Sequence, residues 1–145
     1  DILLQEGCPG WMYQIKCGAT TTWERWDALK PDGTVNEEKM AGSGDNMVSF
    51  NHYAFGSVGE FYYQYILGIK PQKPGFAELH FEPYPDRRLG GVSGSYLSRA
   101  GKIESSWKYE EDGCHISLNT PVKSEVVLPN GQRETVEEGT YQWLC

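Results

Sequence analysis

The residues Gly18-Ala19-Thr20-Thr21-Thr22-Trp23-Glu24-Arg25-Trp26-Asp27 set two tryptophans around an acidic-basic pair, and Ser49-Phe50-Asn51-His52 adds an amide and an imidazole further along the chain. A carboxylate beside tryptophans can have its solvation and proton affinity tuned for general acid or base work, which makes Glu24 the candidate catalytic group. Trp23 and Trp26 offer faces on which the C–H side of a sugar ring stacks. Asn51 and His52 offer donors and acceptors to hydroxyls. Together these types read as a carbohydrate site, and as half of one.

Each group also has a plain structural reading. Thr21-Thr22-Trp23-Glu24 matches a capping box, in which Thr and Glu satisfy free backbone donors at a helix start. Tryptophan is ordinary core, and core is the expected place for one of the two. Arg25 and Asp27 could pair with each other, contributing little if the pair is at the surface. Asn51 with His52 could be a helix cap followed by a satisfied buried histidine.

Several short elements must hold these groups. Gly7-Cys8-Pro9-Gly10 breaks the chain, Pro9 pre-sets a short helix through Trp11, Met12, Ile15 and Lys16, and Gly18 stops it. The capping box predicts a second short helix from Thr20 or Thr21. Lys30 to Asn46, with Pro31, Asp32-Gly33, Gly42 and Gly44, reads as a long loop, either functional or a tolerated insertion. Phe50, Tyr53, Val58, Phe61, Tyr65 and Ile69 recur at helical spacing, so a helix over about 50–69 is expected, capped by Ser49 or Asn51 and ended by Gly68. Gly56 and Gly59 each cost that helix roughly 1 kcal/mol relative to Ala, which predicts another backbone packed closely there. Pro71 and Pro74 mark a linker.

Beyond Gly75 the apolar period changes from 3.6 to 2, the mark of a domain boundary. Ala77, Leu79 and Phe81 alternate with Glu78, His80 and Glu82; Ile103, Trp107 and Tyr109 share parity, as do Cys114, Ile116 and Leu118, then Val122, Val126 and Leu128. Asp112-Gly113, Asn130-Gly131 and Glu138-Gly139 are turn signals suited to an antiparallel meander or sandwich. The alternating aromatics Tyr96, Trp107, Tyr109, Tyr141 and Trp143 are read as sandwich core rather than as a sugar-binding face.

Composition sets the outer bounds. With 39% hydrophobic and 13% aromatic residues the chain is not disordered, and 145 residues suffice for one domain or two small ones. A formal charge of −7 opposes nucleic acid as a partner and favours a neutral ligand. No apolar run approaches the roughly 20 residues that span a bilayer. The opening Asp1-Ile2-Leu3-Leu4 lacks a signal-peptide pattern, so a soluble chain without membrane contact is expected. Cys8, Cys17, Cys114 and Cys145 have neither C-x-x-C nor finger spacing, so no metal and no cofactor is implied, and free thiols are the default. Their pairing and the compartment stay open.

The order and spacing of Pro9-Gly10-Trp11, Tyr13, Gly18 to Asp27, Ser49 to His52, Gly56 and Gly59 resemble the C-terminal end of bacterial α-L-rhamnosidases of glycoside hydrolase family 78. The likeness runs on through Pro74-Gly75-Phe76, Pro83, Gly101-Lys102-Ile103, Trp107 and Leu128-Pro129, and so covers nearly the whole chain. Cys8 departs from the aromatic often found before that proline. The resemblance implies an α+β chain: terminal helices of an (α/α)6 barrel over residues 1–69, then an antiparallel β-sandwich over 70–145. It implies an enzyme that removes terminal α-L-rhamnose with inversion, in which an acid protonates the leaving oxygen while a second carboxylate, roughly 6.5–9.5 Å away, activates water. Glu24 resembles that general base and His52 the sugar-contacting histidine, with Asn51 beside it and Trp23 or Trp26 walling the pocket.

The family's general acid lies in an acidic segment far upstream in the barrel, and no stretch here resembles it. The implied partners are a rhamnosylated glycoside or polysaccharide and the remainder of the parent barrel, and the chain alone is expected to be inactive. Two alternatives stay open on the residues. One is a carbohydrate-binding or structural β-sandwich with a helical docking arm, which needs outward-pointing aromatics on residues 76–145. The other is self-association through the exposed helical face.

Overall fold

The computed structural model describes residues 2–38 and 48–145. The chain divides into two compact units, Asp1–Val58 and Gly59–Cys145. Among the described residues no helix is long and apolar enough to cross a membrane.

In the first unit, helix α1 spans Trp11–Lys16 with Gly10 at its N-cap. Gly18, at φ +85°, turns the chain as expected, and its N–H donates to Ile15 O at 2.9 Å while that of Ala19 donates to Gln14 O at 3.0 Å. The Tyr13 hydroxyl donates to Leu29 O at 2.7 Å, tying α1 to a tight turn. There Leu29 bridges Val35, Lys30 N–H donates to Thr34 O at 2.8 Å, and Gly33 takes φ +83°. The expected long loop over 30–46 therefore begins as a compact hairpin with Asn36 buried; residues 39–46, with Gly42 and Gly44, lie outside the described residues.

No helix forms at Thr20 or Thr21. The capping-box pattern fails because its two side chains serve a distant segment: the Thr21 hydroxyl donates to Phe50 O, and Glu24 accepts from Ser49 N–H. A pairing 25 or more residues away has displaced the local one.

The helix expected over 50–69 is shorter and irregular. It comprises a 3-10 segment Tyr53–Ser57, a single α turn α2 at Val58–Phe61, and a π-helical segment Tyr62–Ile66 that Leu67 N–H closes on Tyr62 O at 2.9 Å. Neither Ser49 nor Asn51 caps it; His52 holds the N-cap position and contributes no side-chain hydrogen bond there. Gly68 does end it, at φ +75°, where a Cβ would run into the Pro83 backbone. The close approach expected at Gly56 and Gly59 is absent among the described residues, since a Cβ at either would meet nothing within 4 Å.

In the second unit the supposed linker is a strand. β1, Ile69–Pro71, pairs antiparallel with β2, Leu79–Phe81, and Pro74–Phe76 is a short 3-10 turn between them. Pro71 is tolerated because it terminates an edge strand. The rest comprises β3 Gly91–Ser98, β4 Gly101–Glu110, β5 Gly113–Thr120, β6 Ser124–Val127, β7 Arg133–Val136 and β8 Gly139–Leu144. They form two four-stranded sheets, β1-β2-β6-β7 and β3-β4-β5-β8. The second is antiparallel throughout, whereas β2 and β6 run parallel. That pair departs from a simple meander because the chain crosses through the other sheet between them.

The core follows the expected parity at most positions; Ala77, ahead of β2, is exposed, and Tyr109 and Val122 are half-buried. Leu79, Phe81, Ile103, Trp107, Ile116, Leu118 and Val126 are all buried, each stabilising the fold by roughly 1.5–3 kcal/mol relative to exposure. Phe81 of one sheet stacks on Trp143 of the other at 6.1 Å between ring centroids. The last turn of the π segment is tied to the sandwich through its free carbonyls: Trp107 Nε1–H donates to Ile66 O at 2.7 Å and the Ser105 hydroxyl to Leu67 O at 2.6 Å.

Candidate functional site

The two stretches singled out in the sequence lie side by side in the first unit. Glu24 N–H donates to Ser49 O at 2.9 Å, and Glu24 Oε2 accepts from Ser49 N–H at 2.8 Å. His52 N–H donates to Thr22 O at 2.8 Å, and the Thr22 hydroxyl returns to His52 O at 2.9 Å. Short polar side chains on one segment thus satisfy the backbone of the other, a strand-like contact without a regular ladder.

Glu24 is half-buried. Its Oε2 is fixed by a backbone N–H, and its Oε1 has no hydrogen-bond partner among the described residues. The neighbouring cation does not neutralise it. Arg25 is held bidentately by Asp27 at 2.6 and 2.8 Å and donates from Nη1 to Glu38 O at 2.8 Å. Hydrogen bonds from Arg25, joined by one from Asn36, hold the Asp27 carboxyl below the usual carboxylate range against the opposing effect of burial. Asp27 is thereby a structural partner of Arg25, so that among the described residues Arg25 is engaged by Asp27 and Glu38 rather than by Glu24.

Trp23 is buried and meets Phe50 edge-on at 5.3 Å between centroids. Trp26, half-buried, meets Trp11 edge-on at 4.9 Å. Both line a small cleft of ≈ 30 Å³ with Glu24, Arg25, Trp11, Gln14 and Phe55. That is room for about one water molecule. Trp11 and Gln14 are cleft members that motif reading passed over; their three-residue spacing on α1, which places both on one face, is the signal that could have found them. Gln14 is buried, and its Oε1 accepts from Trp23 N–H at 3.4 Å.

The half-buried His52 ring packs against Phe55 at 5.1 Å and Tyr53 at 6.1 Å, and neither ring nitrogen has a hydrogen-bond partner among the described residues. Asn51 is exposed, its N–H donating to Ser49 Oγ at 3.2 Å. Neither residue lines the cleft beside Glu24.

In the second unit the aromatics divide. Trp107 is core, Tyr109, Tyr141 and Trp143 are half-buried, and Tyr96 leaves the core to pack against Phe76 at 4.8 Å and Tyr63 at 5.9 Å. The β3-β4-β5-β8 sheet carries an open groove of ≈ 740 Å³ crossed by Ser93, Ser106, Ser117 and Gln142, which are paired in register. An exposed trio of Glu110, Asp112 and His115 brings its ligand-type atoms within 4.8 Å of one another, with His115 Nε2 against Asp112 Oδ1 at 2.7 Å. This is explained as a surface ion pair: the Asp112 hydrogen bond raises the His115 proton affinity.

Comparison with known proteins gives a consistent result. Residues 1–66 match the sequence model of the bacterial alpha-L-rhamnosidase 6 hairpin glycosidase domain, and residues 68–142 that of the bacterial alpha-L-rhamnosidase C-terminal domain. An alpha-L-rhamnosidase of Alteromonas sp. (strain LOR) is 37% identical over 131 residues, covering 89% of this chain and 14% of that protein. One from Streptomyces avermitilis is 33% identical over 144 residues, covering 97% and 13%. Among solved structures, the native alpha-L-rhamnosidase of Aspergillus terreus superposes with a TM-score of 0.85 at 34% identity, over 97% of this chain and 16% of that one. The Streptomyces avermitilis alpha-L-rhamnosidase complexed with L-rhamnose gives a TM-score of 0.83 at 29% identity, over 97% and 15%. The chain therefore spans about one-seventh of the length of these curated relatives. With the α+β fold and both matched stretches pointing to one kind of protein, the chain belongs to the bacterial alpha-L-rhamnosidase family.

Proposed function

We propose that this chain is the C-terminal part of an inverting α-L-rhamnosidase, with residues 1–69 closing its (α/α)6 barrel and 70–145 forming its sandwich domain, and that Glu24 is the general base. The observation that carries this reading is the Glu24–Ser49 contact: one carboxylate oxygen is oriented by a backbone N–H, and the other has no hydrogen-bond partner among the described residues, in a cleft lined by tryptophans. A general base needs that combination, a fixed direction and a free lone pair, to take a proton from water as it attacks the anomeric carbon. The substrate is a terminal α-L-rhamnoside, a reading supported by the relative solved with L-rhamnose. His52, joined to Thr22 in the same paired stretch, would present its ring nitrogens, which have no hydrogen-bond partner among the described residues, to the sugar hydroxyls, with Asn51 next to it and the tryptophans as wall.

The general acid belongs to the barrel outside these 145 residues, so the chain alone performs no turnover. In the full-length parent, Glu24→Gln is expected to lower kcat about 10²–10⁴-fold, the usual worth of general acid–base catalysis. Its circular dichroism and melting should stay unchanged. Near-normal turnover by that variant would remove Glu24 from the mechanism.

A further inference from the structure

We propose that Cys114 and Cys145 form a reversible cross-strand disulfide that fastens the end of β8 to β5. The β5–β8 register pairs Ile116 with Trp143 and His115 with Leu144. It continues one step further, because Cys114 N–H donates to Cys145 O at 2.7 Å and Cys145 N–H donates to Cys114 O at 3.0 Å. Antiparallel residues that exchange both backbone hydrogen bonds have Cα atoms about 5.5 Å apart. That lies inside the window of about 4.4–6.8 Å that a disulfide spans.

Directly opposed side chains share a face of the sheet, and the parity of Cys114 with buried Ile116 and Leu118 makes it the inner face. Both thiols are free in the structure, Cys114 buried and Cys145 half-buried. Opposed Cβ atoms normally stand about 4.5–5.5 Å apart, whereas a disulfide draws them to about 3.5–4.5 Å. Closing the bond must therefore pull the two strands together slightly, and a bond held under such tension is readily reduced.

The half-buried Cys145 thiol is the point of entry. Its thiolate attacks a low-molecular-weight disulfide such as oxidised glutathione, forming a mixed disulfide and releasing one glutathione. The Cys114 thiolate then attacks Cys145 Sγ and releases the second. Two cysteine thiols lose two electrons in all, one glutathione disulfide gains them, and the two thiol protons leave with the glutathiones. Burial pushes the Cys114 thiol up, so the second step quickens as pH rises.

The experiment equilibrates the folded chain with oxidised glutathione and maps its peptides under non-reducing conditions. A peptide joining Cys114 to Cys145 is expected, together with a rise of several degrees in the unfolding midpoint that excess dithiothreitol reverses. In a chain carrying C8S and C17S the free-thiol titre should fall from two to zero. Persistent glutathione on Cys145, or a titre that stays at two while the unfolded chain reacts, would overturn the proposal. C145S, at a half-buried strand end where folding is least at risk, should lose both the linked peptide and the midpoint shift.

Discussion

Glu24 and Glu82 show how differently two carboxylates are treated in this chain. Glu82 accepts a hydrogen bond from Lys70 at 2.7 Å, and that contact, with further ones from His80 and Tyr84, outweighs desolvation and brings its pKa down to about 2. A depressed native pKa adds stability that is fully present above the ordinary carboxylate range and is lost as pH falls through about 2. The second unit should therefore lose stability progressively between about pH 5 and pH 2, and Glu82→Gln should flatten that part of a stability–pH curve measured by urea titration. A variant curve as steep as the parent's would show that other acids dominate; Asp86, also brought to about 2 by Arg88, lies at the surface where solvent screens the pair, and is expected to count for less. Ser105 offers a second test at this scale. Its hydroxyl is the partner of a buried carbonyl, so Ser105→Ala should cost about 1–3 kcal/mol in unfolding free energy by leaving Leu67 O unsatisfied.

At the scale of elements, the segment from Tyr53 to Ile66 changes helix type twice and exposes Phe61, Tyr62, Tyr63 and Tyr65. Such a row of aromatics fits a face meant to be covered, and we assign its cover to the rest of the parent barrel. Since a Cβ added at Gly59 would meet nothing within 4 Å among the described residues, Gly59→Ala should stabilise the chain by about 0.5–1 kcal/mol, read from the unfolding midpoint. A destabilisation would place some neighbour at that position. The strands were legible because a half-buried sheet imposes period 2, so Leu79 with Phe81 and Cys114 with Ile116 and Leu118 declare their inner face without help from distant residues. β1 was not legible. Ile69-Lys70-Pro71 is too short to show a period, and its pairing with β2 is what makes it a strand.

At the scale of the molecule, the chain divides after Val58 into two compact units, while residues 1–66 and 68–142 match two domains of one family; in the proposed mechanism the base lies in this chain and the acid in the rest of the parent. The chain by itself is therefore expected to release no product from an aryl α-L-rhamnoside above background, even at high protein concentration. Turnover abolished by Glu24→Gln in this chain would show that both catalytic groups lie within it. Sedimentation over a range of concentrations tests whether copies instead cover one another's aromatic face; a size independent of concentration would leave the parent barrel as that partner.

Sequence by itself determined the features that depend on near neighbours and side-chain type. The turns at Gly18 and Gly68 follow from a backbone conformation that glycine adopts without strain, and the sandwich core follows from alternation. The family likeness was legible in the spacing from Gly18 to Asp27 and from Ser49 to His52. Only the tertiary structure decided what Thr21 and Glu24 do, because a capping box and a pairing with Phe50 and Ser49 use the same side-chain oxygens. The same holds for the parallel β2–β6 pair and for Cys114 opposite Cys145. Hydrogen bonds between segments far apart in the chain leave no periodicity behind them, and so they can be found only once the chain is folded.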